Sequence, residues 1–223
     1  MDTAPRLLAV AAGLAVLAFA SYEAVRYGVT GMAVGNASRE LSQPVREGVP
    51  IAGTWWDADL NRAAREVPND PAVRELQAFV IVRSSREAPD LMRAQRDLAA
   101  ALEARPGSGY TWASLADVMY RLGDTGPAFE KALVNAMNLG PYEPEVQRTV
   151  ANYGLAVFDE VAPPARAAIE RAVASGMKRN AAETLQIATR RGRLGVACRH
   201  LDDVPRPAAS KWTQLCQSME ATS

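Results

Sequence analysis

The sequence predicts an all-α chain: a membrane helix at the amino terminus, a stack of helix pairs after it, and a capping helix at the end. Three observations carry this. Leu7 to Ala20 is an uninterrupted apolar run of 14 residues. Beyond it, apolar residues recur at helical spacing in short segments closed by Gly or Pro, and two such ends, Pro106 and Pro141, lie 35 residues apart, close to the period of a helix-pair repeat. Alanine and arginine are abundant, whereas the β-branched runs expected of a sheet are missing.

Residues 1–27 read as a single-pass anchor. Taken as far as Val25, the apolar segment is long enough to span a bilayer, with Tyr22 and Tyr27 at interface depth and Glu23 reaching the headgroups. The competing reading is a cleaved signal peptide, because Ala18-Phe19-Ala20 offers a small-x-small site. Both export the chain, and the short basic tail ahead of the run keeps the amino terminus inside. Residues 28–53 follow as a loop-like stalk, punctuated by Gly28, Gly31, Gly35, Pro44, Gly48, Pro50 and Gly53. Asn36-Ala37-Ser38 matches a glycosylation triplet, a pattern common by chance.

Residues 54–204 form the repeat domain. Thr54 suits an N-cap, and Trp55, Leu60, Ala63, Ala64 and Val67 form the stripe of a first helix ending before Pro68. Pro71 opens a second, apolar almost all round from Val73 to Val82. A third runs from Asp90 to Ala104 with Leu91, Ala94, Leu98, Ala101 and Leu102 inward. Trp112, Leu115, Ala116, Met119 and Leu122 give the next helix an apolar face with Trp112 as its core anchor, and Gly123 ends it. Its partner closes at Ala136, Leu139 and Pro141. Pro144 begins a helix through Val146, Val150, Tyr153 and Val157; Ala165 to Ser175 pairs with it, and Asn180 to Arg191 with Leu194 to His200 makes a last pair. Residues 205–223 supply the cap, with Trp212, Leu215, Cys216 and Met219 on one face of Ser210 to Glu220.

With 25 basic and 25 acidic residues the chain has no net charge, so nothing suggests nucleic acid as a partner. No phosphate loop or dinucleotide fingerprint is present, and no cofactor is expected. His200, the single histidine, sits among Arg199, Asp202 and Asp203 in the manner of a surface residue. Its spacing from Cys198 and Cys216 matches no closed zinc pattern. The two cysteines either form one bridge, contributing on the order of 3 kcal/mol in an oxidising compartment, or stay as buried thiols. The chain is therefore expected to be non-catalytic.

The candidate site is a groove, since the first helices of stacked pairs line a concave face. On that face the sequence places Tyr110, Asp117, Tyr120 and Arg121 on one helix, Glu145, Arg148 and Asn152 on the next first helix, and Arg74 on the previous one. A mixed polar and aromatic set suits a segment of another protein, and Tyr120 would also suit a sugar.

The order of aromatic, Leu, small residue, Leu-Gly, Ala, Leu and Pro between Trp112 and Pro141 resembles a tetratricopeptide repeat, with one residue more between Gly123 and Ala136 than that repeat carries. The resemblance implies a TPR-like right-handed α-solenoid of about four irregular helix pairs plus a C-terminal capping helix. Arg105-Pro106, Trp112-Ala113-Ser114-Leu115-Ala116 and Gly140-Pro141-Tyr142-Glu143-Pro144-Glu145-Val146-Gln147 further resemble the small membrane-anchored helical-repeat proteins of the VpsP-type polysaccharide biosynthesis family. That likeness covers about residues 55–161 and implies an accessory scaffold in the bacterial inner membrane, its C-terminal domain in the periplasm. The implied partner is a glycan polymerase, ligase or export component. A glycan-binding or glycan-processing protein and a general envelope assembly factor are the alternative readings.

Overall fold

From Thr3 to Leu41 the chain is one helix, α1, in the computed structural model, which describes residues 3–41, 55–204 and 212–217. The described residues are helical throughout their regular elements, with no strand among them, and they divide into two units, 1–84 and 85–223.

In the first unit α1 packs on α2 (Trp55–Glu66) and α3 (Pro71–Ser84), which also pack on each other. The contact stripe on α1 is Thr30, Ala33, Val34 and Ala37, three of them fully out of solvent. Their spacing is one helical face, and their small size lets the backbones approach. Opposite stand Leu60, Ala63 and Val67 of α2 and Val73, Leu76 and Val80 of α3. Thr30 is satisfied by donating to the Arg26 carbonyl at 2.9 Å. Asp70 caps α3, its Oδ1 accepting from the Ala72 amide at 2.8 Å, so Pro71 can occupy the first turn without losing a needed donor.

Two expectations are corrected here. The stalk drawn from residue 28 is helix as far as Leu41. Gly28, Gly31 and Gly35 each cost a helix about 1 kcal/mol relative to alanine, but no proline interrupts this stretch and packing of the Thr30 to Ala37 stripe offsets the loss. Residues 42–53, and Thr54 as an N-cap, lie outside the described residues. Secondly, among the described residues no helix is long and apolar enough to cross a membrane. The strictly apolar run rises only about 21 Å at 1.5 Å per residue, against a hydrocarbon core of about 30 Å, and Glu23 and Arg26 follow it.

The second unit comprises α4 (Ala88–Ala104), α5 (Gly109–Arg121), α6 (Pro127–Leu139), α7 (Pro144–Ala156), α8 (Pro163–Arg190) and α9 (Leu194–Cys198), followed by a 3-10 turn, Leu201–Asp203. Proline stands in the first turn of α4, α6, α7 and α8. Its missing N–H costs nothing there and its fixed φ favours the helix. α8 is two helices joined at Asn180, whose φ of −148° and ψ of 78° break it. Asn180 Oδ1 then accepts from the Glu183 amide at 3.3 Å and restarts the helix.

The helices pack as neighbouring pairs. α5 lies against α6, α7 against α8 and α8 against α9, while α5 also touches α7 and α6 touches α8. First helices thus meet first helices and second helices meet second ones, which is a solenoid-like arrangement. Hydrogen bonds mark the same period. Tyr110 donates to Glu143, Arg171 to Asn138 and Arg191 to Asn152, partners 33, 33 and 39 residues apart. The core between the pairs is Phe129, Leu133 and Ala136 of α6, Val146, Val150 and Leu155 of α7, and Ala168, Ile169, Ala172 and Val173 of α8, all fully buried.

The turn from Gly140 to Gln147 is the mechanical joint. Gln147, buried on α7, donates to the Pro141 carbonyl at 2.5 Å, and Arg179 of α8 donates to the Tyr142 carbonyl at 2.8 Å. Behind it the Gly140 backbone lies against Gly109. Trp112 departs from its expected role: it is half-buried, and its indole N–H donates to the Pro106 carbonyl at 2.9 Å. The inward face of α5 is Thr111, Ala113, Leu115, Ala116, Val118 and Met119.

Cys198 and Cys216 form a disulfide, with Cα atoms 5.6 Å apart. It ties the helical residues 212–217 to the end of α9; the rest of the expected capping segment lies outside the described residues.

Candidate functional site: a polar and aromatic face on α5, α7 and α8

Two helix ends of the same design present the site. At Gly123, φ +79°, the amide of Asp124 bonds the Met119 carbonyl and that of Gly123 bonds the Tyr120 carbonyl. At Gly192, φ +66°, Arg193 bonds Ala188 and Gly192 bonds Thr189 in the same 6→1 and 5→2 pattern. Only glycine adopts that backbone conformation without penalty, so each end is sharply fixed. The first holds Tyr120 and Arg121; the second holds Arg191.

Between them lies α7 with Asn152 and Tyr153. The Tyr120 and Tyr153 rings are 5.0 Å apart between centroids, and Tyr120 also rests 6.4 Å from Phe129. The Arg191 guanidinium carbon sits 5.5 Å from the Tyr120 centroid and 5.8 Å from that of Tyr153. Arg191 Nε donates to Asn152 Oδ1 at 3.1 Å, and its Nη1 to the Tyr120 hydroxyl at 3.4 Å.

Asp117 is the acidic member. Its side chain is 17% exposed, and Arg121 Nη1 stands 3.9 Å from Oδ1. Arg121 in turn donates to the Ser85 carbonyl. Burial pushes the Asp117 carboxyl above its ordinary value, an effect opposed by the Tyr153 hydroxyl that donates to it and by Arg121 and Arg86. Burial raises the Tyr153 hydroxyl too, with the Asp117 charge adding to it, so Tyr153 stays protonated. Asp117 Oδ1 has no hydrogen-bond partner.

That imbalance has a sign. The folded state holds a proton on Asp117 more tightly than the unfolded chain, so stability falls as pH rises from 3.8 through the raised value and stays reduced above it. Asp117→Asn keeps an acceptor for Tyr153 and removes the charge. At pH 7 it is expected to gain about 1 kcal/mol over the wild type in chemical unfolding, since a neutral amide is buried at less cost than a carboxylate. The two proteins should converge near pH 3. A variant less stable at pH 7 would show that Arg121 compensates the carboxylate fully.

Of the residues the sequence assigns to a groove, Asp117, Tyr120, Arg121 and Asn152 come together here. Glu145 and Arg148 lie further along α7, 2.6 Å apart, with Arg148 also 2.7 Å from Glu183 of α8. Tyr110 is at the far end of α5, where its hydroxyl donates to Glu143 Oε2 at 2.6 Å, a bond that pushes the Tyr110 pKa up to about 12. Arg74 belongs to the first unit, where it donates to the Pro68 carbonyl at 2.8 Å and closes the α2–α3 turn. Tyr153, Arg191 and Glu183 are members that the sequence reading misses. Tyr153 stands 33 residues after Tyr120, the same place one repeat later, and that spacing was the available signal.

Elsewhere, among the described residues, no group of three His, Cys, Asp or Glu is placed to hold a metal ion. His200 Nδ1 lies 3.3 Å from Asp203 Oδ2 at the molecular surface. Fold and site together define an all-helical, solenoid-like protein with a charged aromatic face across successive helix pairs. No family model, curated protein or solved structure matches the chain.

Proposed function

We propose that the protein is a non-catalytic, membrane-anchored, TPR-like scaffold that holds a partner protein on the α5–α7–α8 face. The observation that carries this reading is the prior commitment of the side chains there. Tyr120, Tyr153, Asn152 and Arg191 fix one another in a rigid surface, as binding surfaces require to keep ordering entropy low. Pairs stacked about one repeat apart, in a right-handed solenoid of about four irregular pairs, would present such faces in series.

The setting rests on two further features. Between Leu14 and Val25, α1 exposes Leu14, Val16, Leu17, Phe19, Tyr22 and Val25, each more than half accessible, on every side of the helix. Glu23 and Arg26 pair at 3.0 Å, which reduces the cost of carrying both into an interface. In this reading that apolar surface meets the membrane, although the run is too short to cross it as a regular span. The Cys198–Cys216 bridge suits an oxidising space such as the periplasm. The VpsP-type resemblance of the Gly140 to Gln147 turn supports polysaccharide assembly in the envelope as the process, with a glycan polymerase, ligase or export component as the partner. A sugar stacked on Tyr120 is the weaker reading, because Arg191, Tyr153 and Phe129 already surround that ring.

Affinity capture from detergent-extracted membranes tests the reading. The wild type should retain one membrane protein of glycan assembly, and Arg148→Gln, which removes a charge at the rim of the face without setting a third carboxylate beside Glu145 and Glu183, should retain less of it while melting near the wild-type temperature. Recovery of unrelated envelope proteins would favour a general assembly factor, and recovery of none would refute the scaffold.

A further inference from the structure

Among the described residues, Arg191 is a cation of this face with no ion-pair partner. Among the described residues no carboxylate stands within ion-pair distance of it, because the acids nearby are already engaged: Asp117 with Arg121, Glu145 and Glu183 with Arg148, and Asp159 with Arg193 at 2.6 Å. A guanidinium has five N–H donors. Asn152 and Tyr120 take one each, from Nε and Nη1, which leaves the remaining edge of the fork without an acceptor among the described residues.

The position of Arg191 at the C-cap of α8 favours a cation, since the last carbonyls of a helix carry partial negative charge. That accounts for an arginine at this end and not for its orientation. The fork is laid over two tyrosine rings and pinned at Nε, so its plane is set before anything binds. The cations Arg86, Arg121 and Arg191 and the acids Asp117 and Glu145 act on this neighbourhood, so the surface carries charges of both signs and what it offers an anion is the unused edge of Arg191.

We infer that Arg191 is the receptor for a carboxylate of the partner, bound by the free edge of the guanidinium and oriented by Tyr120, Tyr153 and Asn152. This rests on the reading of the face as a partner-binding surface, and it names the chemistry that the surface recognises. A planar, pre-oriented fork matches the two oxygens of a carboxylate, and a charge-assisted bond of this kind is about twice as strong as a neutral one. The carboxylate comes either from an Asp or Glu side chain or from a chain terminus; both offer the same two oxygens.

Three peptides separate those sources when titrated against the full chain in detergent micelles at low salt. They are hexaglutamate blocked at both ends, hexaglutamine blocked at both ends, and hexaglutamine with a free carboxyl terminus. Binding of the first assigns the site to side-chain carboxylates, binding of the last alone assigns it to a chain terminus, and both results support the inference. The doubly blocked hexaglutamine should not bind. Arg191→Gln is expected to weaken the productive peptide by about tenfold or more, the loss of one strong charged contact. An unchanged affinity in Arg191→Gln, or equal binding of all three peptides, overturns it. Should that variant fail to fold, the Nε–H resonance of Arg191 in the wild type decides: it should move with the carboxylate peptide and stay with its amide counterpart, and a resonance that moves with neither is a refutation. Capture of the membrane partner by a folded Arg191→Gln at the wild-type level would remove the carboxylate and leave the scaffold standing. Absence of any partner on the wild type would remove the scaffold itself.

Discussion

Phe129→Ala is expected to lower the unfolding free energy of the 85–223 unit by about 3–5 kcal/mol, the range for deleting a fully enclosed aromatic side chain. Among the described residues Phe129 is the largest side chain with no solvent exposure, in the first turn of α6 and beneath Tyr120. Its removal empties the space between a first and a second helix, and the face above it loses a support. Trp112→Ala removes a larger ring for a smaller loss, about 1–2 kcal/mol, because its side chain is only partly buried and its one hydrogen bond ends on an exposed carbonyl. Urea unfolding of both variants orders them, and a Trp112 variant as unstable as the Phe129 variant would show that the indole carries the core after all.

Gly109→Ala is the second large effect, at about 3 kcal/mol or more, the upper range for overpacking. A methyl group at residue 109 would sit 2.7 Å from the Gly140 amide nitrogen and 2.9 Å from its Cα, with the Ala136 carbonyl oxygen at 3.2 Å. These are backbone atoms at the joint between two repeats, so no rotamer change relieves the clash. Gly107→Ala, two residues earlier, has no atom within 4 Å of the new methyl and should change stability by less than about 0.5 kcal/mol. Thermal melts of the pair distinguish a contact at this joint from a general intolerance of the turn, which equal losses would indicate.

Both variants probe the feature that the sequence displays most openly. Pro127, Pro144 and Pro163 in first turns and Gly123 and Gly192 after last ones are local signals with local causes, and they place the helix ends of the second unit within a few residues. Asn180 was legible as a break for the same reason, since the stripe restarts there. The stalk was misread because Gly28, Gly31 and Gly35 were weighed as breakers, while the stripe of Thr30, Ala33, Val34 and Ala37, whose partners lie some thirty to forty residues away on α2 and α3, had no local sign of its value.

The site divides in the same way. Asp117, Tyr120, Arg121 and Asn152 follow from counting along one helix from an inward stripe, although Trp112, taken as the stripe's anchor, proves to be half-buried. Arg191 does not follow, because it reaches Tyr120 across 71 residues, and only packing of α8 on α7 brings it there. Nor does Tyr153 read as a surface residue, since an aromatic at helical spacing is ordinarily core; here it shares its hydroxyl with Asp117. What tertiary packing added was the guanidinium over the rings and the second ring itself, the parts that turn a polar stripe into a rigid one.

Site-specific photocrosslinking in living cells tests the central claim most directly. A photoreactive residue in place of Arg148, on the α7 edge of the face, should join the chain to one membrane protein, and the same residue in place of Lys131, exposed on α6, should leave it free. Crosslinks to that protein from position 131 and none from position 148 would contradict the account.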